Sequence, residues 1–351
     1  MSRRIRVLHV LKSSSYSGAE NVAITIIKHL NEDFEAAYLA TRGEIEDVLK
    51  KEGICYFLLD RFTRKNINKI IEEYQPDIVH AHDFTATVLC AMVLQRFRLI
   101  SHLHYDPPWV YDWNLRTIAY QCCKKRISRV LTVSTDMFQN MVFASKFKEK
   151  VRVVKNPLDV ECIKQKANDK TYDNLLAIDI IFVGRLVEQK NPQRFIRLVE
   201  ALKKEGLHKL RCIMLGEGKL LEECRRMVKC LGLEENVQLL GFQSNPYAYI
   251  NKSSLLCLTS RWEGFGLVIA EASILGVPVL STKTSGACEI LGEKAWEICE
   301  SDIEFVDKAK QLLADRMQYD MKSVEAMERA KRFSDLDAYM SYMVSVYREE
   351  V

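Results

Sequence analysis

The chain has 351 residues, of which 48% are hydrophobic, and a formal net charge of +4. This length suffices for two domains with separate cores, and neither a basic tail nor an RNA-binding aromatic motif supports a nucleic-acid partner. The eleven cysteines include no C-x-x-C pair, which indicates reduced thiols. No window reaches the ~18 apolar residues of a membrane span, and the apolar start is too short for a signal peptide. We therefore expect a cytoplasmic protein.

The first half alternates short apolar runs with helical apolar spacing. Strands are predicted at 7–11, 36–41, 55–59, 77–80, 99–104 and 130–134, and helices from residue 21 and at 67–74, 86–94 and 115–127. The polar loop at 13–20 lacks G-x-G-x-x-G, so a Rossmann dinucleotide site is unsupported. Alternation of this kind predicts a doubly wound parallel sheet, which places ligands at the carboxyl ends of its strands.

A second alternating series follows a polar, lysine-rich connection at 161–176. Strands are predicted at 177–183, 210–215, 237–239, 255–258 and 277–280, and helices at 192–205, 220–231 and 264–275. We assign residues 1–165 to a first domain and 166–335 to a second, with an amphipathic helix at 336–351 that packs back on the first. Asp335-Leu336-Asp337 matches the D-x-D metal motif, but we interpret it as helix capping, with Ser334 as the N-cap.

The most informative segment is Ser260 to Glu271, where two carboxylates, Glu263 and Glu271, flank Gly264-Phe265-Gly266. Glycines at the entry to a helix let backbone N–H groups approach an anion, which the helix dipole also favours. A carboxylate further along such a helix can accept hydrogen bonds from ligand hydroxyls. The pattern favours a site for a phosphorylated, hydroxyl-rich ligand, and the alternative is a tight turn with solvated carboxylates.

Two cations, Arg185 and Lys190, follow the strand that ends at Val183-Gly184 and precede a helix. A planar guanidinium and a mobile ammonium suit a diphosphate. The alternative is two surface cations in a loop.

Four of the seven histidines form two H-x-H pairs, His80 with His82 and His102 with His104. On a strand, the period of two places both members of a pair on one face. Four imidazoles with Asp83 or Asp106 would suit zinc or iron. The alternative, histidines at strand ends with backbone partners, fits His80 best.

These motifs, in order from Ser17 to Ile290, resemble the retaining family-4 glycosyltransferases (glycosyl transferases group 1) with the GT-B fold. The E-x7-E block is the most specific. The V-G-R-L…K stretch at 183–190, the P-D-I-V-H-x-H stretch at 76–82, the loop at 17–20 and the strand end at 154–159 add to it. Asn191, Ser17 and Ala287 depart from the family pattern, because each stands where the family has glycine.

The resemblance implies two Rossmann-like domains that face each other across a cleft, with acceptor binding in the first and nucleotide-sugar binding in the second. It implies catalytic roles for Arg185, Lys190, His104 and Glu263. The implied donor-binding residues are Gly18, Gly184, Arg185, Lys190, Gly241, Phe242, Glu263, Gly264, Phe265, Gly266, Leu267 and Glu271. Arg185 and Lys190 would hold the diphosphate, so that neither a metal nor another cofactor is required.

We expect a hexosyltransferase that uses a nucleotide-diphosphate sugar, with UDP favoured, and a glycan or lipid-linked acceptor, in cell-surface polysaccharide synthesis. The basic runs at 61–65 and 124–129 predict peripheral association with the inner face of the cell membrane, or else solvated surface. The alternatives are a nucleotide-sugar epimerase, a metal enzyme built on the paired histidines, and a non-catalytic binding protein.

Overall fold

The computed structural model describes residues 3–133 and 135–351. Its contacts divide the chain into two compact units, one formed by Met1–Pro157 with Asp335–Val351 and the other by Leu158–Ser334. The boundary precedes the predicted one by eight residues. The helix at Val160–Ala167, most of which we assigned to the first domain, contacts elements of the second unit instead.

The described part of the first unit contains seven parallel strands. They are β1 (Ile5–Val10), β2 (Phe34–Thr41), β3 (Tyr56–Leu59), β4 (Ile78–Ala81), β5 (Arg98–Leu103), β6 (Ile127–Thr132) and β7 (Val151–Val153), in the sheet order β3-β2-β1-β4-β5-β6-β7. The α-helices are α1 (Gly18–His29), α2 (Ile45–Lys51), α3 (Arg64–Tyr74), α4 (Phe84–Ala91), α5 (Leu115–Cys122) and α6 (Thr135–Gln139). The strand order reverses between β1 and β4, which is where doubly wound sheets bind ligands.

The described part of the second unit contains six parallel strands. They are β8 (Ile178–Val183), β9 (Cys212–Leu215), β10 (Val237–Leu239), β11 (Ser253–Leu258), β12 (Val279–Thr282) and β13 (Ile298–Cys299), in the order β10-β9-β8-β11-β12-β13. The α-helices are α7 (Val160–Ala167), α8 (Pro192–Lys204), α9 (Leu221–Cys230), α10 (Pro246–Asn251), α11 (Leu267–Ile274), α12 (Ser285–Leu291), α13 (Asp302–Ala314) and α14 (Arg316–Ala330). Here the order reverses between β8 and β11.

The last helix, α15 (Leu336–Glu350), belongs to the first unit. Its end is fixed by Arg129, whose Nε lies 3.2 Å from Glu350 Oε1 and whose Nη2 lies 2.8 Å from Glu349 Oε2. Asp335 is the N-cap, since its carboxylate accepts a hydrogen bond from the Ala338 amide at 2.9 Å. The capping interpretation of the D-x-D sequence is therefore confirmed, but Ser334 was the wrong residue for the N-cap.

Several predicted boundaries were wrong. Helix α1 begins at Gly18 rather than residue 21, because Ser17 adopts the extended conformation of an N-cap. Helix α5 ends at Cys122, and Ile127 begins β6. The strand predicted at 130–134 is therefore shifted toward the N-terminus, and its last residue lies outside the described part of the chain.

Among the described residues, no helix combines the length and the apolar composition needed to cross a membrane.

Candidate functional site

Glu263 lies in the turn after β11 and is 5% exposed. Its Oε1 accepts a hydrogen bond from Ser260 Oγ at 2.5 Å and forms an ion pair with Lys190 Nζ. Its backbone oxygen accepts hydrogen bonds from the Gly286 amide at 2.9 Å and from Ser285 Oγ at 2.8 Å. The turn is therefore fixed to the start of α12, with its carboxylate paired beneath the surface.

The glycine turn before α11 is tightly built. Gly266 is the N-cap with φ of 75°, a left-handed conformation that favours glycine. Gly286 faces the preceding residue so closely that a Cβ there would lie 2.7 Å from backbone atoms of Phe265. Phe265 is buried against Phe333. The predicted start of this helix at 264 was thus three residues early, because Gly264 and Gly266 form its approach.

Glu271 lies one turn inside α11 and is 8% exposed. Its Oε1 accepts a hydrogen bond from the Tyr247 hydroxyl at 3.2 Å. Burial raises the pKa of Glu271 to about 7, although the Tyr247 hydrogen bond and the charges of Lys190 and Lys166 act in the opposite direction. The carboxyl is therefore poised near neutral pH and is electrostatically coupled to Lys190.

The two predicted cations follow β8 as it leaves the sheet. The Lys190 side chain crosses Gly184, where a Cβ would lie 3.5 Å from the lysine methylenes. Arg185 Nη2 lies 3.4 Å from Gln189 Oε1, and Gln189 Nε2 donates to the Trp262 backbone oxygen at 3.2 Å. Gln189 therefore links the arginine to the Glu263 turn, so the two motifs form one site.

Arg185 also carries an unsatisfied group. Its Nε is buried and has no hydrogen-bond partner within the part of the chain that the structure describes. A buried donor without an acceptor is costly and calls for an explanation, such as an absent ion. Of the first N–H groups of α11, that of Ile269 donates to the Gly266 oxygen at 2.8 Å, and those before it begin the helix without an intrahelical acceptor. Donors of this kind, together with the positive charges of Arg185 and Lys190, suit a multiply charged anion.

The loop after β9 borders the same strand end. Gly216 has φ of +130°, and a Cβ there would lie 2.1 Å from the Gly184 backbone oxygen. The Gly216 amide donates to the Gly241 oxygen at 2.8 Å, and the Phe242 amide lies 3.4 Å from Glu217 Oε1. The structure thus brings Gly241 and Phe242 to the carboxyl ends of β8 and β9.

Sequence reasoning missed several residues of this site. Gln189 and Ser260 lie inside motifs that we used but were assigned no role, and Tyr247 and Ser285 were not singled out. Gly286 precedes Ala287, which we noted as a departure from the family pattern, but its close approach to Phe265 was not foreseen. The available signal was the position of Ser260, a hydroxyl three residues before Glu263 in the same segment.

In the first unit, Gly18 is the first residue of α1. Ser17 Oγ donates a hydrogen bond of 2.5 Å to Glu20 Oε2, and Glu20 is buried. The Asn21 amide donates to the Ser17 oxygen at 2.9 Å. The loop is therefore a self-contained helix start at the carboxyl end of β1.

The histidine pairs lie within the first unit's sheet. As the strand period requires, the rings of His80 and His82 stack with centroids 4.1 Å apart, and those of His102 and His104 lie 4.0 Å apart. His9, from β1, adds a fifth ring that sequence reasoning missed. It lies beside His80 because β1 pairs with β4 in register.

The interpretation of His80 as a residue with backbone partners was wrong. Its Nδ1 lies 2.7 Å from the Tyr347 hydroxyl of α15, and its Nε2 lies 3.2 Å from His102 Nδ1. His80 is fully buried, so its partners come from side chains that the fold brings to it.

Two histidine groups have the donor set of a metal site: His9, His80 and His82, and His82, His102 and His104, with ligand nitrogens within 4.8 Å of one another. Neutral imidazole nitrogens suit zinc or copper. However, hydrogen bonds between these side chains occupy every ring nitrogen of the five except His102 Nε2 and His104 Nδ1. A metal with three histidine ligands would have to break at least one of these hydrogen bonds.

Two family models match this chain. The model of Glycosyltransferase Family 4 matches residues 16–162, and that of Glycosyl transferases group 1 matches residues 164–333. The matches follow one another along the chain and meet near the boundary between the two units.

Named relatives agree with these matches. The chain is 34% identical, over 56% of its own length and 53% of the relative's, to N-acetylgalactosamine-N,N'-diacetylbacillosaminyl-diphospho-undecaprenol 4-alpha-N-acetylgalactosaminyltransferase of Campylobacter jejuni. It is 25% identical, over 82% of its length and 83% of the relative's, to the capsular polysaccharide biosynthesis glycosyltransferase CapH of Staphylococcus aureus.

The fold matches that of Anabaena HepE, solved in complex with UDP and glucose. The TM-score is 0.83 at 19% identity, and the match covers 98% of this chain and 99% of that one. This likeness confirms the predicted GT-B fold, with its two Rossmann-like domains. The chain belongs to the family-4, group 1 glycosyltransferases.

Proposed function

We propose that this glycosyltransferase moves a hexose from a nucleotide-diphosphate sugar, with UDP favoured, to a glycan or lipid-linked acceptor in cell-surface polysaccharide synthesis. We further propose that the reaction retains the anomeric configuration and needs no metal. The observation that carries the proposal is the buried Nε of Arg185, near Lys190 and the glycine turn of α11, which finds no partner among the residues that the structure describes.

The donor's diphosphate is assigned to Arg185, Lys190 and the first amides of α11. Two fixed positive charges and a helix N-terminus would stabilise the charge that develops on the departing nucleoside diphosphate. This is the work that a divalent cation does in other transferases, which supports metal independence. A protein of the same fold, HepE, was solved with UDP and glucose.

The two carboxylates are assigned to the donor's hydroxyls. Glu271, one turn inside α11, would accept hydrogen bonds from the ribose, and Glu263 would accept one from the transferred sugar. Lys190 would then contact both Glu263 and the diphosphate. Its ammonium already forms an ion pair with Glu263, and its charge acts to lower the pKa of Glu271.

The chemical step is proposed to be a front-face substitution. The bond from the anomeric carbon to the phosphate oxygen breaks, and the bond to the acceptor oxygen forms on the same face. The acceptor's hydroxyl proton passes to the departing phosphate oxygen, so no pair of carboxylates at glycosidase spacing is needed. His104, from the first domain, is proposed to hydrogen-bond near the reacting centre.

The acceptor is proposed to be lipid-linked, with the first domain at the membrane surface. The Campylobacter relative is named for an acceptor on diphospho-undecaprenol. In this chain, Trp113, Leu115 and Ile118 are 56%, 86% and 47% exposed. Leu115 and Ile118 lie three positions apart on α5, hence on one face. Exposed apolar side chains on a helix that is followed by lysines suit the interface of an anionic membrane.

The basic run at 124–129 contributes less charge to that surface than its sequence indicates. Arg129 pairs with Glu349 and Glu350, and Arg126 Nη2 donates to the Val93 oxygen at 3.0 Å. Lys124 and Lys125 are left exposed just after α5. We assign the membrane surface to these two lysines together with the apolar side chains of 113–118.

The proposal is tested by thermal unfolding with UDP, GDP, ADP and CDP in the presence of chelator. A ligand present at about 100 times its dissociation constant stabilises the folded state by roughly 2.7 kcal/mol. We expect one nucleotide, with UDP favoured, to raise the unfolding temperature of the wild type but not of Lys190→Ala. Lys310→Ala removes a lysine from an exposed ion pair and is the matched control.

Transfer itself is followed with the matching nucleotide sugar and a polyprenyl-diphosphate acceptor. The anomeric coupling in the NMR spectrum of the product reports retention or inversion. No response to any nucleotide, or a response that disappears with chelator, would contradict the donor site as assigned. An inverted product would contradict the mechanism alone.

A further inference from the structure

Six buried side chains of the first unit form a continuous hydrogen-bonded chain. In spatial order they are His104, His82, His9, Tyr347, His80 and His102. They come from β1, from β4 and β5 with the residues that follow them, and from α15. We refer to this set as the histidine chain.

One arm runs from His104 to the tyrosine. His104 Nε2 lies 3.0 Å from His82 Nδ1, and His82 Nε2 lies 2.9 Å from His9 Nδ1. His9 Nε2 is 3.5 Å from the Tyr347 hydroxyl, the longest link. The second arm was described above, from that hydroxyl through His80 to His102.

Each link between two histidines therefore joins the Nδ1 of one ring to the Nε2 of the other. The tyrosine hydroxyl is linked to His9 Nε2 and to His80 Nδ1. The two ends, His104 Nδ1 and His102 Nε2, are buried and find no hydrogen-bond partner among the described residues. His102 is 0% exposed and His104 is 8% exposed. The buried side-chain oxygen of Asn156, which has no other partner within the described structure, lies close enough to His104 to act against the lowering of that ring's pKa.

Burial keeps these rings neutral. It lowers the pKa of His9 to about 3 and that of His104 to about 4, and it lowers the pKa of His80, His82 and His102 well below the ordinary value. A neutral imidazole has one N–H donor and one acceptor nitrogen. Each ring must therefore donate in one direction along the chain and accept from the other.

If the Tyr347 hydroxyl also accepts from one neighbour and donates to the other, so that its own hydrogen has an acceptor, two arrangements remain. In one, all five histidines carry hydrogen on Nε2, the links point from His104 toward His102, and the end at His102 is a buried N–H without an acceptor. In the other, all five carry hydrogen on Nδ1, and the end at His104 is an N–H beside the unpaired oxygen of Asn156. Because an orphaned N–H is the rarer and costlier defect, the second arrangement is favoured.

We propose that the histidine chain fixes His104 as the Nδ1–H tautomer, so that His104 presents a hydrogen-bond donor rather than a base. The proposal rests on the proposed function only for the place of His104 near the reacting centre. It fits a reaction in which the departing phosphate takes the acceptor's proton. His9, His82, His80, His102 and Tyr347 are then positioning residues.

The direction of the hydrogen bonds in the histidine chain can reverse only if one proton leaves at one end and another enters at the other end. Each hydrogen moves along its link to the neighbouring atom. A proton leaves His104 Nδ1 for water or a ligand, and a proton from water enters at His102 Nε2. Because His102 is fully buried, its access to water limits this exchange, and the direction persists.

The test is the NMR spectrum of protein labelled with nitrogen-15 at histidine, which distinguishes protonated from bare ring nitrogens. The free wild type, without any substrate, is expected to show hydrogen on Nδ1 in all five histidines of the chain. His29 and His208, which lie outside it, are internal references. A mixture of tautomers among the five, or a metal bound in equal amount to the protein, would overturn the proposal.

Tyr347→Phe removes the central link. His80 Nδ1–H and His102 Nε2–H are then both buried donors without an acceptor, so neither direction of the His80–His102 link is preferred and both tautomers are expected for these two rings, while His9, His82 and His104 keep their hydrogens on Nδ1. His80→Asn is the second variant and is expected to release the tautomer of His102 alone, because it removes the ring nitrogen that His102 Nδ1 contacts. Tyr120→Phe is the matched control, because Tyr120 is also fully buried but hydrogen-bonds Ser101. If both chain variants keep the wild-type tautomers, the proposal fails, whatever their activity.

Discussion

Lys190 and Glu263 form an ion pair although they lie 73 positions apart in the chain. The carboxylate side chain is 6% exposed and the lysine side chain 17% exposed. Because Ser260 also donates to the same carboxylate oxygen, Glu263 is satisfied before any ligand is bound. The pair therefore holds the Glu263 turn against the end of β8, and it gives the two residues both a structural and a ligand-binding role.

Loss of one partner should separate these two roles. Lys190→Met leaves the buried Glu263 carboxylate without its cation, which should lower the free energy of unfolding by about 1–3 kcal/mol. Lys190→Met combined with Glu263→Gln should recover most of that loss, because the uncompensated charge is gone. Neither variant should respond to nucleotide. Urea unfolding of the single and double variants measures the coupling, and simple additivity would contradict it.

The raised pKa of Glu271 predicts a pH-dependent stability. Between the ordinary value of 4.5 and about 7, the folded protein retains a proton that the unfolded chain has released. Stability should therefore fall as pH rises through this window, by roughly 3 kcal/mol in total. Glu271→Gln should lack this contribution and should be more stable than the wild type above pH 7.

Thermal midpoints at a series of pH values from 4.5 to 8 measure this difference. Glu222→Gln, which changes an exposed carboxylate on α9, should follow the wild type. Parallel curves for the wild type and Glu271→Gln would show that Glu271 is ionised in the folded protein throughout. The same Glu271→Gln variant should bind nucleotide more weakly, because an amide accepts fewer hydrogen bonds from ribose than a carboxylate.

The contact between Gly286 and Phe265 predicts a selective loss of donor binding. In Gly286→Ala, the new Cβ must displace backbone atoms of the glycine turn, which should cost about 1–3 kcal/mol of stability. The same displacement moves the first amides of α11, so the nucleotide-induced rise in unfolding temperature should disappear.

Gly232→Ala is the control for this variant. It places an alanine at φ of +62° with no atom within 4 Å of the new Cβ. It should cost about 1–2 kcal/mol from backbone strain yet keep the nucleotide response. Equal nucleotide responses in the two variants would mean that the turn does not contact the ligand.

The proposed membrane surface predicts a loss of vesicle binding without a loss of fold. Lys124→Ala with Lys125→Ala should weaken binding to vesicles that contain anionic lipid by about 1 kcal/mol for each lysine, roughly 30-fold together at low salt. Vesicle sedimentation measures the binding. Lys204→Ala with Lys209→Ala, exposed lysines of the second domain, is the matched pair. Equal binding by both double variants would remove the membrane assignment.

Much of the fold could be predicted from sequence because both halves alternate short apolar strands with amphipathic helices, which is a local signal. The end of the second domain could not. Helices α13 and α14 and strand β13 follow Leu291 and were not predicted. Helix α14 carries charged residues around much of its surface and buries little more than Ala326, Ala330 and the methylenes of Lys322, so its periodicity is weak.

The candidate site could also be predicted only in part, since its charged residues stand in motifs but their supporting contacts do not. Arg185, Lys190, Glu263 and Glu271 stand in recognisable motifs, and the structure gathers them at the carboxyl ends of β8 and β11. Their supporting contacts depend on pairings between distant segments, as between Gln189 and Trp262. Sequence spacing carries no information about such pairings.

The contacts of the histidines could be predicted from sequence only in part. The close approach of the two rings within each H-x-H pair follows from the strand period, but the partnership with His9 depends on strand order. The contact between His80 and Tyr347 joins residues 267 positions apart in the chain. Without the sheet order, neither partner could be chosen from the sequence.

The position of Tyr347 also bears on the order in which the protein is made. The second domain is translated between the last strand of the first sheet and the helix that completes that sheet's buried polar chain. Until α15 has emerged from the ribosome, His80 and His9 lack the hydroxyl that joins them. The first domain to emerge is therefore the last to be finished, and a nascent or prematurely terminated chain would hold an incomplete core for a chaperone or a protease to recognise.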